Sequence, residues 1–257
     1  IVVTAHHKPD ADALGSALAL THYLNAKGHA VKTVMPSDYP EFIHWMPGHD
    51  KVICWREGEE QPAESAFAEA EIIFCLDFNA IPRVNKLSQS LADAKGIKVM
   101  IDHHQDPQDF ADFTYSFTKA ASTAELIWDF IVEGMDDKSY LTTDIGQCVY
   151  AGMMTDTGSF RFNSTTPKVH YIAAAIMELG VDHARIHQLI YDNNTETRLR
   201  LLGYALCNKM TVLKDKHVAY IVLNKEDLEQ FNVKTGDTEG LVNYALSVQG
   251  VVFAAII

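Results

Sequence analysis

Short runs rich in β-branched and apolar residues punctuate the first half of the chain: "IVVTA", "VKTVM", "KVICW", "EIIFCLD" and "IKVMIDHH". Helical patterning separates most of them, with expected helices from about residue 12 to 27, near 62–70 and near 84–95. Strands that alternate with helices build a mostly parallel sheet with helices on both faces, an α/β fold. In such sheets ligands sit beyond the carboxyl ends of the strands. From about residue 121 to 191 the spacing reads largely helical, with apolar residues at helical intervals in "TAELIWDFIVEG" and "VHYIAAAIMELG".

The texture changes near residue 193. The segment "LLGYALCNKMTVLKDKHVAYIVLNKEDLEQF" suggests a helix, a hairpin turning at 214–216 and a further short helix, before the helical "LVNYALSVQ" and the apolar run "VVFAAII". Charge changes with it. Residues 1–194 hold 14 Lys+Arg against 27 Asp+Glu, and residues 195–257 hold 7 against 7, so the first part carries the whole net charge of −13. Both signals place a domain boundary in "YDNNTETR", giving domains 1–190 and 191–257, the second a smaller α/β domain. No internal repeat or low-complexity tract occurs.

An acidic first domain without a basic stripe argues against a long nucleic-acid track, although not against a short phosphorylated substrate. No apolar stretch reaches the roughly 18 residues of a membrane span, and no basic-then-apolar leader is seen, so the expected location is the cytoplasm. The four cysteines show no C-x-x-C spacing and read as free thiols. Oligomeric state is not legible.

Polar residues cluster where the strands end. His6, Asp10 and Asp12 follow "IVVTA", Asp77 ends "EIIFCLD", Asp102, His103 and His104 end "IKVMI", and Asp156 lies in "GMMTDTGSFRF". Singly, each has a commoner structural explanation: an Asp after a strand is often a helix N-cap, and His-His pairs arise by chance on surfaces. Together they converge on one sheet edge, where the two histidines and two aspartates of "HHKPDAD" would be poorly solvated and mutually repelling unless a metal ion held them.

The motifs "HHKPDAD", "CLDFN", "IDHH" and "GMMTDTGSF" resemble, in order, those of the DHH phosphoesterases, a superfamily that includes RecJ-type exonucleases, family II inorganic pyrophosphatases and nanoRNases. The resemblance covers roughly residues 1–190. The rest is similar to the start of a DHH-associated C-terminal domain, incomplete here. "PDADALGS" and "TDTGSFRF" are most similar to the stand-alone oligoribonucleases that also act on 3′-phosphoadenosine 5′-phosphate. The resemblance implies two divalent cations, Mn²⁺ by preference with Mg²⁺ or Co²⁺ as alternatives. His6 and Asp10 would hold one, Asp12, His103 and Asp156 the other, and Asp77 would bridge them. Oxygen ligands with a minority of imidazoles and no thiolate suit these metals and argue against structural zinc.

A two-cation centre supports phosphoester hydrolysis by activating water and neutralising phosphoryl charge. The expected activity is cleavage of short oligonucleotides to nucleoside monophosphates, with phosphoadenosine phosphate as a further substrate. Alternatives are a pyrophosphatase- or exopolyphosphatase-like enzyme, or a nucleotide-binding scaffold that has lost catalysis. Asp102 reads as the carboxylate that orients a histidine, and His104 as the group that contacts phosphate and protonates the leaving alkoxide. Gly15 and Ser16 open the first helix, whose amides could receive an anion, unless they serve packing. Arg161 could clamp a phosphate or pair with a carboxylate. His7 and Lys8 read as solvent-facing, and Phe160 and Phe162 as base-flanking or core aromatics. In the resembling family the C-terminal domain continues with an arginine-bearing strand and a glycine-rich loop, so the natural chain is expected to extend beyond Ile257.

Overall fold

Apolar runs become strands, and their order sets the site. In a computed structural model, which describes residues 1–234 and 236–257, the chain divides into two compact units, Ile1–Leu189 and Ile190–Ile257. The first is built on six parallel strands: β1 (Val2–Thr4), β2 (Lys32–Met35), β3 (Ile53–Cys54), β4 (Ile72–Leu76), β5 (Ile97–Asp102) and β6 (Phe113–Ser116). Their spatial order is β3-β2-β1-β4-β5-β6. The chain builds outward from β1 to β3 and then returns to lay β4 on the other side of β1. That reversal opens a crevice beyond the carboxyl ends of β1 and β4.

Alternate side chains leave each strand on opposite faces. Val2, Val34, Ile73, Cys75 and Met100 join Phe67 of α2 (Gln61–Glu69) and Leu91 of α3 (Ser88–Asp93) in one buried cluster. The other face, with Val3, Phe74, Leu76 and Ile101 buried, is covered by α1 (Ala11–Ala26) and α4 (Thr123–Asp129), and α5 (Thr143–Asp156) packs against both helices. Helices therefore lie on both faces. Helix α1 starts with Asp10 as N-cap, whose side chain accepts from Asp12 N and Ala13 N. Two further helices, α6 (Pro167–Glu178) and α7 (His183–Tyr191), follow α5.

Two details differ from the sequence expectation. The helix expected at 84–95 is a 3₁₀ segment, Ile81–Leu87, followed by the short α3, because Asn85 breaks the turn at φ 48° and ψ −111°. Strand β6 was not expected, although "FTYSF" alternates aromatic and hydroxyl residues at the strand period; it lies at the sheet edge with Phe113 63 % and Tyr115 39 % exposed.

The second unit contains α8 (Glu196–Tyr204), the antiparallel hairpin β7 (Met210–Leu213) and β8 (Val218–Ile221), α9 (Lys225–Gln230), α10 (Leu241–Leu246) and β9 (Phe253–Ile256). β9 runs parallel to β8 at the edge of a three-stranded sheet, and Ala205, Ala219, Ile221, Leu241 and Ala245 form its small core.

Candidate metal centre

Register alone delivers the first ligand candidates. Thr4 of β1 lies opposite Cys75 of β4, and Leu76 of β4 opposite Ile101 of β5. Two residues past the first pair His6 meets Asp77, and one residue past the second Asp77 flanks Asp102. Asp77 leaves β4 at φ +61°, a left-handed conformation that aspartate tolerates better than most residues. Its amide still donates to Ile101 O at 3.1 Å.

The carboxylate of Asp77 is 2 % exposed and faces two ways. Oδ2 lies 3.4 Å from Nε2 of His6, and Oδ1 lies 3.5 Å from Nε2 of His103. On the first side Asp10 completes a cluster, its Oδ2 3.9 Å from the same His6 nitrogen. Asp10 thus has two tasks, because its Oδ1 caps α1 while its Oδ2 faces the cluster. On the second side, Nε2 of His103 lies 3.4 Å from Oδ2 of Asp156 and 4.0 Å from Oδ2 of Asp12. Asp156 reaches the site from the last residue of α5, not from a strand.

The potential ligand atoms of His6, Asp10 and Asp77 all lie within 4.8 Å of one another, as do those of Asp12, His103 and Asp156. A third grouping, Asp77, His103 and His104, meets the same limit. Four carboxylates and two imidazoles in the first two clusters form a hard, oxygen-rich donor set that fits divalent cations such as Mn²⁺ or Mg²⁺. Electrostatics agrees with that fit. Burial first, and the Asp77 charge next, raise the carboxyl of Asp12 well above its ordinary value, and the same two causes raise Asp10. Burial would also raise Asp77, but His103 and His6 overcome it and hold the group low. Burial would lower the two imidazoles, yet contact with Asp77 pushes both up to about 9. Negative charge here is under-compensated by protein groups, which is the condition a bound cation relieves.

The remaining candidates fall into different places. Asp102 is fully buried at the end of β5, and its Oδ1 lies 2.7 Å from Nδ1 of His104. Gly15 and Ser16 lie where α1 packs. Both are buried inside α1, the Ser16 hydroxyl donates to Ala13 O, and a Cβ on Gly15 would stand 2.5 Å from Cys148 O of α5. The first free amides of α1, at Asp12 and Ala13, are already taken by Asp10. Arg161 is exposed five residues past Asp156, and its Nε donates to Gly158 O at 2.7 Å. The turn before it is left-handed at Gly158, Ser159 and Phe160. Phe160 packs against Tyr150 at 5.5 Å between centroids, whereas Phe162 is exposed. Lys8 is exposed, but His7 is half-buried and its Nδ1 has no hydrogen-bond partner.

Sequence reasoning missed the support of Asp12. Its two oxygens accept from Thr123 N at 2.7 Å and Ala124 N at 2.8 Å, at the start of α4. The hydroxyl of Thr123 donates to Oδ1 of Asp77 at 2.9 Å. Gly152 of α5 backs the same carboxylate, since a Cβ there would stand 2.7 Å from Oδ1 of Asp12. The available signal was Ser122 before a helical run with Glu125 three residues on, a helix-start pattern. Ser122 does cap α4, accepting from Glu125 N at 3.1 Å.

The chain is similar to known proteins. The DHH family, N-terminal domain, matches residues 1–153. A probable bifunctional oligoribonuclease and PAP phosphatase NrnA from Streptococcus mutans is 26 % identical, across 95 % of this chain and 72 % of the relative. The corresponding Bacillus subtilis protein is 25 % identical across 98 % and 75 %. Among solved structures, an exopolyphosphatase-related protein from Bacteroides fragilis superimposes with a TM-score of 0.92 at 39 % identity, covering 97 % of this chain and 73 % of that one.

Proposed function

We propose, from the premise that this chain belongs to the DHH family, that it is a phosphoesterase acting on short oligonucleotides and on nucleotide phosphates of the phosphoadenosine phosphate class. The observation that carries the reading is the Asp77 carboxylate, with one oxygen toward His6 and the other toward His103. His6 and Asp10 would hold one divalent cation, Asp12, His103 and Asp156 a second, and Asp77 would serve both. Mn²⁺ is the preferred ion, with Mg²⁺ and Co²⁺ as alternatives. Such a pair supplies water activation and neutralisation of phosphoryl charge.

The chain's own groups do the rest. Asp102 engages Nδ1 of His104, so Nε2 is the nitrogen left to face substrate and to give a proton to the departing alkoxide. Arg161, exposed beyond Asp156, offers a cation for a phosphate away from the reacting one. The substrate class is supported by the names of the two relatives, which share most of this chain. Phosphoanhydride cleavage is the second reading, favoured by the exopolyphosphatase-related neighbour.

One experiment separates them. Purified protein with Mn²⁺ is incubated with dinucleotides, phosphoadenosine phosphate, pyrophosphate and polyphosphate. Nucleoside monophosphate from a dinucleotide, and adenosine monophosphate from phosphoadenosine phosphate, are expected. Orthophosphate released from polyphosphate or pyrophosphate alone would replace the first reading with the second.

A further inference from the structure

The geometry points to Thr123 as the positioning residue that fixes the two-way orientation of Asp77, an inference that rests on the two-cation reading above. Asp77 sits on left-handed backbone at the tip of β4, where its amide donates a hydrogen bond to Ile101 O and the hydroxyl of Thr123 donates to its carboxylate. The imidazoles of His6, His103 and His104 lie farther off, at 3.4 to 3.7 Å, so the Thr123 hydroxyl is the nearer partner of Oδ1. Thr123 is fully buried, and a buried hydroxyl must donate to some acceptor or lose the bond it had in water. Its acceptor is Oδ1 of Asp77 at 2.9 Å. The bond holds Oδ1 on the His103 side and so leaves Oδ2 toward His6.

Through its backbone, the same residue anchors the other cluster. Thr123 N donates to Oδ2 of Asp12 at 2.7 Å, across 111 positions of sequence. One residue therefore sets the separation between a carboxylate of one cluster and the carboxylate shared by both. Partners that orient a ligand commonly alter metal affinity about 10–100-fold when removed. The hydroxyl and the amide can be tested apart, because Thr123→Val removes the first and keeps the second.

The test uses the full chain, stripped with chelator and titrated with Mn²⁺. It reads stoichiometry by calorimetry and the spin-coupled signal of a manganese pair by electron paramagnetic resonance, with melting of the metal-free proteins as the control for folding. The parent is expected to take up two equivalents and show the coupled signal. Thr123→Val is expected to weaken the second equivalent about 10–100-fold and to lose the coupled signal at stoichiometric metal, and Thr123→Ser is expected to restore both. A Thr123→Val protein that matches the parent overturns the inference and leaves the two-cation reading standing. Failure of Thr123→Ser to restore the pair also overturns it, because packing of the methyl group would then be the cause. If the parent itself binds no pair, the two-cation reading fails and takes the inference with it. Should Thr123→Val give no cooperative melt, Thr123→Ala against Thr123→Ser decides the same question.

Discussion

Nδ1 of His104 lies 2.7 Å from Oδ1 of Asp102, a carboxylate with no exposed surface whose other oxygen has no hydrogen-bond partner. A buried acceptor with so few partners orients the imidazole strongly. His104→Ala should therefore keep its metal content and lose turnover by about 10²–10⁴-fold, the usual worth of general acid–base catalysis. Asp102→Asn should reduce kcat with little loss of metal. Metal analysis beside steady-state kinetics checks both, and loss of metal in His104→Ala would make that histidine a ligand.

Removal of the shared carboxylate should affect both clusters at once. Asp77→Ala is expected to abolish measurable turnover and to lower metal stoichiometry, whereas Asp10→Ala should chiefly weaken the His6 side. Asp10→Ala should also cost about 1 kcal/mol of stability, because the same side chain caps α1. Equilibrium denaturation with metal titration reads the two effects separately. Full activity in Asp77→Ala would remove the bridge from the mechanism.

Gly152 is predicted to be intolerant of any side chain. A Cβ there would meet Ala124 Cβ at 2.7 Å and Oδ1 of Asp12 at 2.7 Å, with Cα of Asp12 at 3.1 Å. None of these is the free end of a flexible side chain. Gly152→Ala should destabilise the protein by about 1–3 kcal/mol, the range for overpacking, and should lower Mn²⁺ affinity by displacing Asp12. Wild-type affinity in a folded Gly152→Ala protein would refute the coupling.

A pH effect is expected in the second unit. The Lys209 ammonium, 2.7 Å from Oδ2 of Asp227, holds that carboxyl below its ordinary value of 3.8, helped by Asn224 N and the Tyr204 hydroxyl. A lowered folded-state pKa contributes stability above the unfolded value, and that contribution disappears as pH falls through the folded value. Asp227→Asn should therefore melt below the parent at neutral pH, and the gap should narrow as pH drops below 3.8. A gap that stayed constant from neutral to acid would show that the charge of Asp227 is not the cause.

Substrate length should matter. With 27 Asp+Glu against 14 Lys+Arg in residues 1–194, each phosphate lying beyond the cations meets net negative protein charge. Rates on two-, five- and twenty-residue oligomers should fall in that order at low salt, and the penalty should shrink as salt is added. Processive degradation of the longest would contradict this.

Most of the parallel strands, and the donor atoms at their ends, are legible in the amino-acid sequence. Apolar runs such as "EIIFCL" must be buried, and hydrogen-bonded strands alternating with helices leave little choice but a parallel sheet, whose carboxyl edge then gathers Asp77, His103 and their neighbours. Period and composition are local properties, so they survive in the linear text. Other features did not. Strand β6 alternates as "FTYSF" but lies exposed at the sheet edge, outside the apolar runs that mark its neighbours, and a Cβ at Gly15 would meet the backbone of α5. Which oxygen of Asp77 faces which histidine, and that Thr123 and Gly152 seat Asp12, depend on contacts between residues far apart in the chain. These follow from tertiary contacts alone, because hydrogen-bond direction and ångström-scale clearance are set by the packing of α1, α4 and α5 against one another, and no single segment contains that information.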